Sequence, residues 1–151
     1  MARYSIGFQK TGISAAGAIV DIAAAASDRV RVLEFGWAVS AVSGTTPVLT
    51  VGLSRSTAIG TRTSPTTVLA EEVADAAGTA TIATAWSAAP TLATTPLRRL
   101  PVNAVGGGIV WTWPDRGGLS LPLSGSLVLS ALAVAGTTPS FTLDGYIVVD
   151  E

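Results

Sequence analysis

Apolar residues in this chain recur at every second position over short runs, and each run ends in Gly, Pro, Ser or Thr. Period two sends side chains alternately to the two faces of an extended backbone, so the runs predict half-buried strands separated by turns. Tyr4, Ile6 and Phe8 form the first run, and Val20 and Ile22 the second. A third begins with Val30 and Val32 and then changes phase to Leu33, Phe35, Trp37 and Val39, which predicts a bulge near Leu33 or burial on both faces. Leu49, Val51 and Leu53 follow a turn; Ile109, Trp111 and Trp113, then Leu127 and Leu129, then Phe141, Leu143, Ile147 and Val149 complete the set. Helical spacing is confined to residues 67–77, through Leu69, Val73 and Ala76, and the segment suits a helix or an ordered loop alike. The expected architecture is all-β: a single-domain antiparallel β-sandwich of jelly-roll type, with an open barrel as the alternative. Residues 9–18 lack the alternation, so residues 1–18 are expected to form an N-terminal arm or first strand and residues 19–151 the sandwich.

One internal echo stands out. Ala41-Val42-Ser43-Gly44-Thr45-Thr46-Pro47 is matched by Ala133-Val134-Ala135-Gly136-Thr137-Thr138-Pro139. Both segments are expected to be hairpin turns, related either by duplication or by a shared turn solution in which Gly supplies a positive φ and Pro opens the next strand.

Composition limits what such a fold can do. Apolar residues are 48% of the chain and charged residues only 13%, about half the usual charged share. A lone subunit would expose much apolar surface, so association is expected. The net charge is −1 and the arginines are scattered apart from Arg98-Arg99, a poor footprint for nucleic acid, which needs several phosphates neutralised together. Lys10 and Arg3 precede an Ala-rich run over residues 13–26, but Asp21 interrupts it, unlike the apolar core of a signal peptide. Uncharged stretches over residues 76–97 and 117–143 reach membrane-spanning length, yet Pro90, Pro96, Pro122, Pro139, Gly125 and Gly136 break them at turn spacing, so no membrane helix is expected.

The chain has neither cysteine nor histidine. Disulfides, Zn-thiolate sites, His-ligated metals and a Ser-His-Asp triad are therefore excluded. Glu71, Glu72 and Asp75 are the one carboxylate cluster to weigh for glycoside hydrolysis or Ca²⁺, against the simpler reading of a solvated face. The Asp150-Glu151 pair reads as a solvated end, and Gly106-Gly107-Gly108, with no Gly-Lys-Ser/Thr after it, as a turn before a strand. Trp111 and Trp113, with Trp37 and Trp86, suit either a sugar-stacking platform or a core or subunit interface. Arg98-Arg99 suits a clamp on a partner's carboxylates or two cations lying over an apolar strand. No catalytic, cofactor or metal residue is expected. Partner contacts are expected at Tyr4, Ile6 and Phe8, the anchors of the arm, and at Arg98 and Arg99.

Taken together, Ala85-Trp86-Ser87-Ala88-Ala89-Pro90-Thr91, Leu97-Arg98-Arg99, Trp111-Thr112-Trp113-Pro114 with Gly118-Leu119, Gly125-Ser126-Leu127-Val128-Leu129 and Val148-Val149-Asp150-Glu151 resemble small virion proteins of tailed bacteriophages. The resemblance spans the chain from Ala85 to its end, and its motifs are short and apolar. It implies a capsid decoration or cement protein: a non-enzymatic homotrimer on the capsid surface, bound to the major capsid protein, with no nucleic acid, membrane or cofactor. A phage tail or head-fibre domain that binds host glycan is the alternative.

Overall fold

The computed structural model describes residues 2–103, 107–113 and 117–151. Among them the secondary structure is antiparallel β, and no α-helix occurs. The strands are β1 (Arg3–Ile13), β2 (Gly17–Ala23), β3 (Val30–Ala58), β4 (Thr61–Arg62), β5 (Thr66–Thr67), β6 (Leu69–Ala70), β7 (Thr81–Ala83), β8 (Trp86–Ala88), β9 (Thr91–Leu92), β10 (Arg98–Asn103), β11 (Gly108–Thr112), β12 (Leu119–Leu121) and β13 (Ser126–Asp150).

Two of these are far longer than a usual strand of five or six residues, and they organise the rest. β3 and β13 pair with each other from Arg55–Leu127 at one end to Arg31–Asp150 at the other, with Thr45 opposite Thr137 at the middle. Along the free edge of β3 lie β9, β10, β11 and β12; along the free edge of β13 lie β1 and β2. The ribbon turns back on itself about its exposed middle. One half, with β1, β11 and β12, makes a wall that faces the other half, with β2, β9 and β10. We call these the β1 wall and the β2 wall. One core fills the space between them, in which Phe35, Leu143 and Ile147 of the first wall and Leu49, Leu53 and Leu129 of the second are all fully buried. β6 pairs with β1 while β5 pairs with β7 and so with β2; Val68, the residue between β5 and β6, is buried, and the sheet nearly closes into a barrel there. At the far ends of the walls Arg55 Nη1 donates to the Ser120 carbonyl across 3.0 Å.

The register of the β3–β13 ladder contains a local two-fold relation. The relation that carries Gly44 to Gly136 and Thr45 to Thr137 also carries the pair Leu53–Leu129 onto Trp37–Gly145, Gly52–Ser130 onto Ala38–Asp144, and Phe35–Ile147 onto Arg55–Leu127. The bulges obey it too: the shift between Ala131 and Ala133 matches the one that separates Val39 from Ala41. The flanking strands follow, because β2 lies on β13 as β11 lies on β3, and the C-terminal half of β1 lies on β13 as β10 lies on β3. Residues 3–58 and residues 91–150 are thus two copies of one unit, and each copy's long strand is flanked by the other copy's short ones.

The Gly-Thr-Thr-Pro echo sits on the axis. Its two occurrences are not two hairpins, as the sequence suggested; they are bends in two long strands that lie against one another. Gly44 has φ 102° and Gly136 φ 120°, and Thr46 and Thr138 are left-handed at 49° and 47°. A Cβ on Gly44 would lie 2.7 and 2.8 Å from the carbonyl oxygens of Thr137 and Thr138, and one on Gly136 would lie 2.9 and 3.1 Å from those of Thr45 and Thr46. Glycine is required at both for the same two reasons, a positive φ and a backbone in the way of any side chain.

Other expectations can be placed on the fold. The bulge near Leu33 is present: Val148 pairs with Glu34 and Val149 with Val32, leaving Leu33 as the extra residue. Phe35, Trp37, Trp111 and Phe141 are buried. Of the helix and the ordered loop left open at 67–77, the helix is absent and short strand residues followed by a turn stand there, because Val68 takes the core position while Leu69 and Val73 project into solvent. Of the arm or first strand expected at 1–18, the first strand is what forms. Arg3–Ile13 is a full strand on β13 and Gly17 already belongs to β2, so the segment is integral to the sheet; Met1 lies outside the described residues, as do Gly106 and Pro114.

Two outcomes test this architecture. Gly44→Ala and Gly136→Ala should each cost about 1 to 3 kcal/mol and cost alike in denaturant titrations; two very different penalties would contradict the equivalence. Fragments cut within the exposed 71–76 turn should each be unstructured alone and regain β circular dichroism only when mixed, since every long ladder joins one unit to the other.

Candidate interaction surface

The residues expected to touch partners fall in two groups. Tyr4, Ile6 and Phe8 point into the chain's own core and are buried there, Phe8 edge-on to Phe35 at 6.0 Å between ring centres. They anchor β1 to its own sheet, so they present nothing to a neighbour. Arg98 and Arg99 are exposed on β10. Successive strand residues face opposite ways, so the two guanidinium groups do not converge into a clamp; Arg98 Nη1 donates to the carbonyl of Leu97 next to it.

Nor do the tryptophans build a platform. Trp111 is 9% exposed and packs edge-on against Trp37 at 5.9 Å and 61°. Trp113 is half-buried, and Trp86 belongs to a separate network described below. Glu71, Glu72 and Asp75 are exposed around an open hollow beside Arg3 and Asp150. Among the described residues no group of three acidic side chains is placed to hold a metal ion. Glu151 is tied down: its carboxylate accepts from the amides of Thr79 and Ala80, at 2.7 Å each, and from the Thr79 hydroxyl at 3.0 Å.

What the residue pattern did not reveal is how differently the two walls present their outer faces. On the β2 wall the outward row Asp21–Val128–Ser54 is sealed, each residue at most 1% exposed. The cover is the 59–90 excursion between the two repeated units. Arg62 of β4 pairs with the Asp21 carboxylate through Nε at 3.0 Å and Nη2 at 2.7 Å and ties itself to Thr81 through the hydroxyl and carbonyl, both at 2.6 Å. The Ala83 amide and the Trp86 indole complete the shell, at 3.0 and 3.4 Å. Burial pushes the Asp21 carboxyl above its ordinary pKa, and Arg62 with the hydrogen bonds only partly offsets this. The available signal was the lone carboxylate inside the Ala-rich run, which needs a buried cation wherever that run lies in a sheet.

The two-fold relation takes Asp21, Val128 and Ser54 to Val110, Gly36 and Tyr146 on the β1 wall. There, among the described residues, no segment roofs the sheet; the Tyr146 ring alone buries Gly36, while Val110 is 50% exposed and Tyr146 38%. The Tyr146 ring lies over Gly36, where any Cβ would collide with it. Its hydroxyl donates to Glu34 Oε1, and that bond holds the phenol above its usual pKa. Beside the ring, Trp37, Ala38, Gly108, Ile109 and Asp144 help to line a shallow, mainly apolar cleft of about 550 Å³. The Asp144 carboxylate accepts from the Gln9 amide at 2.7 Å.

The buried pair makes a measurable difference. Arg62→Ala strands a carboxylate in the interior and should cost about 3 to 5 kcal/mol. Asp21→Asn keeps one acceptor for Arg62 and Ala83 but leaves the guanidinium without its counter-charge and sets an amide donor against the Trp86 indole, so it should destabilise less than Arg62→Ala but still destabilise at pH 7. A carboxyl whose folded pKa exceeds its unfolded value favours folding below the unfolded value and loses that benefit as pH rises through the folded one. The thermal midpoint of wild type relative to Asp21→Asn should therefore rise as pH is lowered from 7 towards 4; an opposite trend would mean that ion pairing outweighs burial. In sequence, no protein-family model and no curated protein matches this chain.

Proposed function

We propose that this protein is a non-enzymatic structural component of a virion, a decoration or cement protein that binds the major capsid protein on the surface of a tailed-phage capsid. The observation that carries the reading is the open outer face of the β1 wall. It holds a mainly apolar cleft lined by the exposed Val110 and Tyr146, on a chain whose charged residues are only 13% of the total. Exposed apolar patches of this kind mark interaction surfaces. Val48, Leu69, Leu97 and Leu123, also exposed, add smaller contacts. The resemblance of the C-terminal part of the sequence to phage virion proteins supplies the particle, and a jelly-roll-like sandwich is the finer fold this reading takes.

The mechanical logic follows from the fold. Two units that share every long ladder resist partial opening, so a protein of this build transmits load between the subunits it bridges. A ligand that binds only the assembled shell stabilises the shell by its binding free energy, repeated at each symmetric site. The alternative, a fibre domain stacking host sugars on Trp111 and Trp113, lacks an accessible ring at Trp111.

Purified protein added to capsids that lack it should co-sediment to saturation and raise the temperature at which they release DNA. Val110→Arg should abolish both effects without changing the protein's own melting temperature. Capsids that bind none of the protein and melt unchanged would remove this reading.

A further inference from the structure

The two-fold relation that matches the outer faces also matches two strand edges, and only one of them is occupied. β2 carries β7 on the edge it turns away from β13, with Asp21 opposite Ala83 and Ala23 opposite Thr81, and β5 follows beyond. The equivalent strand is β11, whose Val110 and Thr112 stand where β2 has Asp21 and Ala23. Among the described residues no strand lies on its outer edge. We propose that this edge takes an extended acidic segment of a partner protein, added antiparallel to β11 as β7 is added to β2, with its carboxylates on Arg98. The site is the strand edge and not the Val110–Tyr146 face, so the inference stands apart from the capsid reading.

The ladder fixes which backbone groups the edge offers. The Trp113 amide donates to the Leu33 carbonyl at 3.0 Å, and the Val39 amide to the Gly107 carbonyl at 2.9 Å. Bonded and unbonded pairs alternate along an antiparallel ladder, so the odd-numbered residues of β11 spend their amides and carbonyls on β3. Those of Gly108, Val110 and Thr112 point the other way, and all three residues are exposed. Open edges are commonly blunted by proline or charge. The neighbouring strands on β3 follow that rule, since β10 holds Arg98, Arg99 and Pro101, and Pro122 follows β12. β11, Gly-Ile-Val-Trp-Thr, has neither and is rich in residues that favour strands.

Charge selects the occupant. β10 and β11 lie along the same edge of β3 on facing walls, and they adjoin at Gly107, where a Cβ would lie 3.1 Å from the Val102 side chain. Val102 is buried and Leu100 packs against the core, so alternation puts Arg98 on the same inward side, at the seam between the walls, and Arg99 on the outward side. Arg98 is exposed, and among the described residues no carboxylate pairs with it. A strand added to β11 has every second side chain on that inward side, beside Arg98, which fits carboxylates at alternate positions. A second copy fits less well: β11 paired with its own counterpart sets two β10 edges together, each with Arg98 and Arg99.

Amide hydrogen exchange on the full chain, followed by NMR, reads the edge directly. In the protein alone Gly108, Val110 and Thr112 should exchange quickly, and Ile109 and Trp111 slowly. The capped peptide Thr-Glu-Val-Glu-Val-Glu-Thr should slow all three, and its lysine counterpart, Thr-Lys-Val-Lys-Val-Lys-Thr, should bind about tenfold more weakly. Methylating both valine amides of the acidic peptide should abolish binding, because those are the donors to β11. Thr112→Pro removes one outward donor and no bond to β3, and should weaken the peptide about tenfold with an unchanged melting curve. Arg98→Ala should erase the preference for the acidic peptide, and Arg99→Ala should keep it. The proposal falls if the three amides are already protected in the protein alone, if the acidic peptide leaves them unchanged at millimolar concentration, or if binding ignores Arg98→Ala. A dimer in sedimentation that Thr112→Pro dissolves would assign the edge to a second copy and also overturn it. Capsid binding through Val110 and Tyr146 beside an inert peptide would remove this inference and keep the capsid reading; protection by the peptide without capsid binding would do the reverse.

Discussion

The ladder between β3 and β13 is the constraint on which the rest of the molecule depends. Each long strand offers a row of amides and carbonyls on both edges, and buried backbone groups must find partners. Each spends one edge on the other and the second edge on short strands: β9 to β12 on β3, β1 and β2 on β13. Because the ladder bends at its middle, the same hydrogen bonds that align the strands also bring their two halves face to face over one core. The bend is possible where Gly44 and Gly136 let two backbones touch, which places the most restrictive residues of the chain on the pseudo-symmetry axis.

An exchange of strands between two repeated units has an energetic consequence. Neither unit contains a long ladder of its own, so the sheet has no natural place to divide, and local opening of one unit breaks backbone pairing in the other. The cooperativity is topological as well as hydrophobic. The 59–90 excursion departs from the symmetry and gives the two outer faces different fates. Where it lies, a carboxylate is buried at the cost of desolvation and compensated by Arg62; where it does not, the equivalent position is Val110, open to solvent. The apolar residue stands at the uncovered site and the charged one at the covered site, the reverse of what a freely solvated monomer would place there.

Period-two alternation depends only on the geometry of an extended backbone, so the sequence alone determined the class of the fold, the bulge at Leu33, and the inward set Phe35, Trp37, Trp111 and Phe141. It also excluded histidine and cysteine chemistry. Alternation is blind to which strand lies beside which. It misread Tyr4, Ile6 and Phe8 as anchors for a neighbour because an edge strand and a detached arm show the same short run, and it left 67–77 between a helix and an ordered loop because spacing alone does not say that Val68, rather than Leu69, faces inward. The Gly-Thr-Thr-Pro echo was plain in the sequence, but its meaning was not: only the register of β3 on β13 makes it a symmetry axis instead of two separate turns. The Asp21–Arg62 pair and the contrast between a roofed and an open face likewise arise from contacts between residues far apart in the chain, and those are decided by tertiary structure because no local propensity encodes which outer face a distant segment will cover.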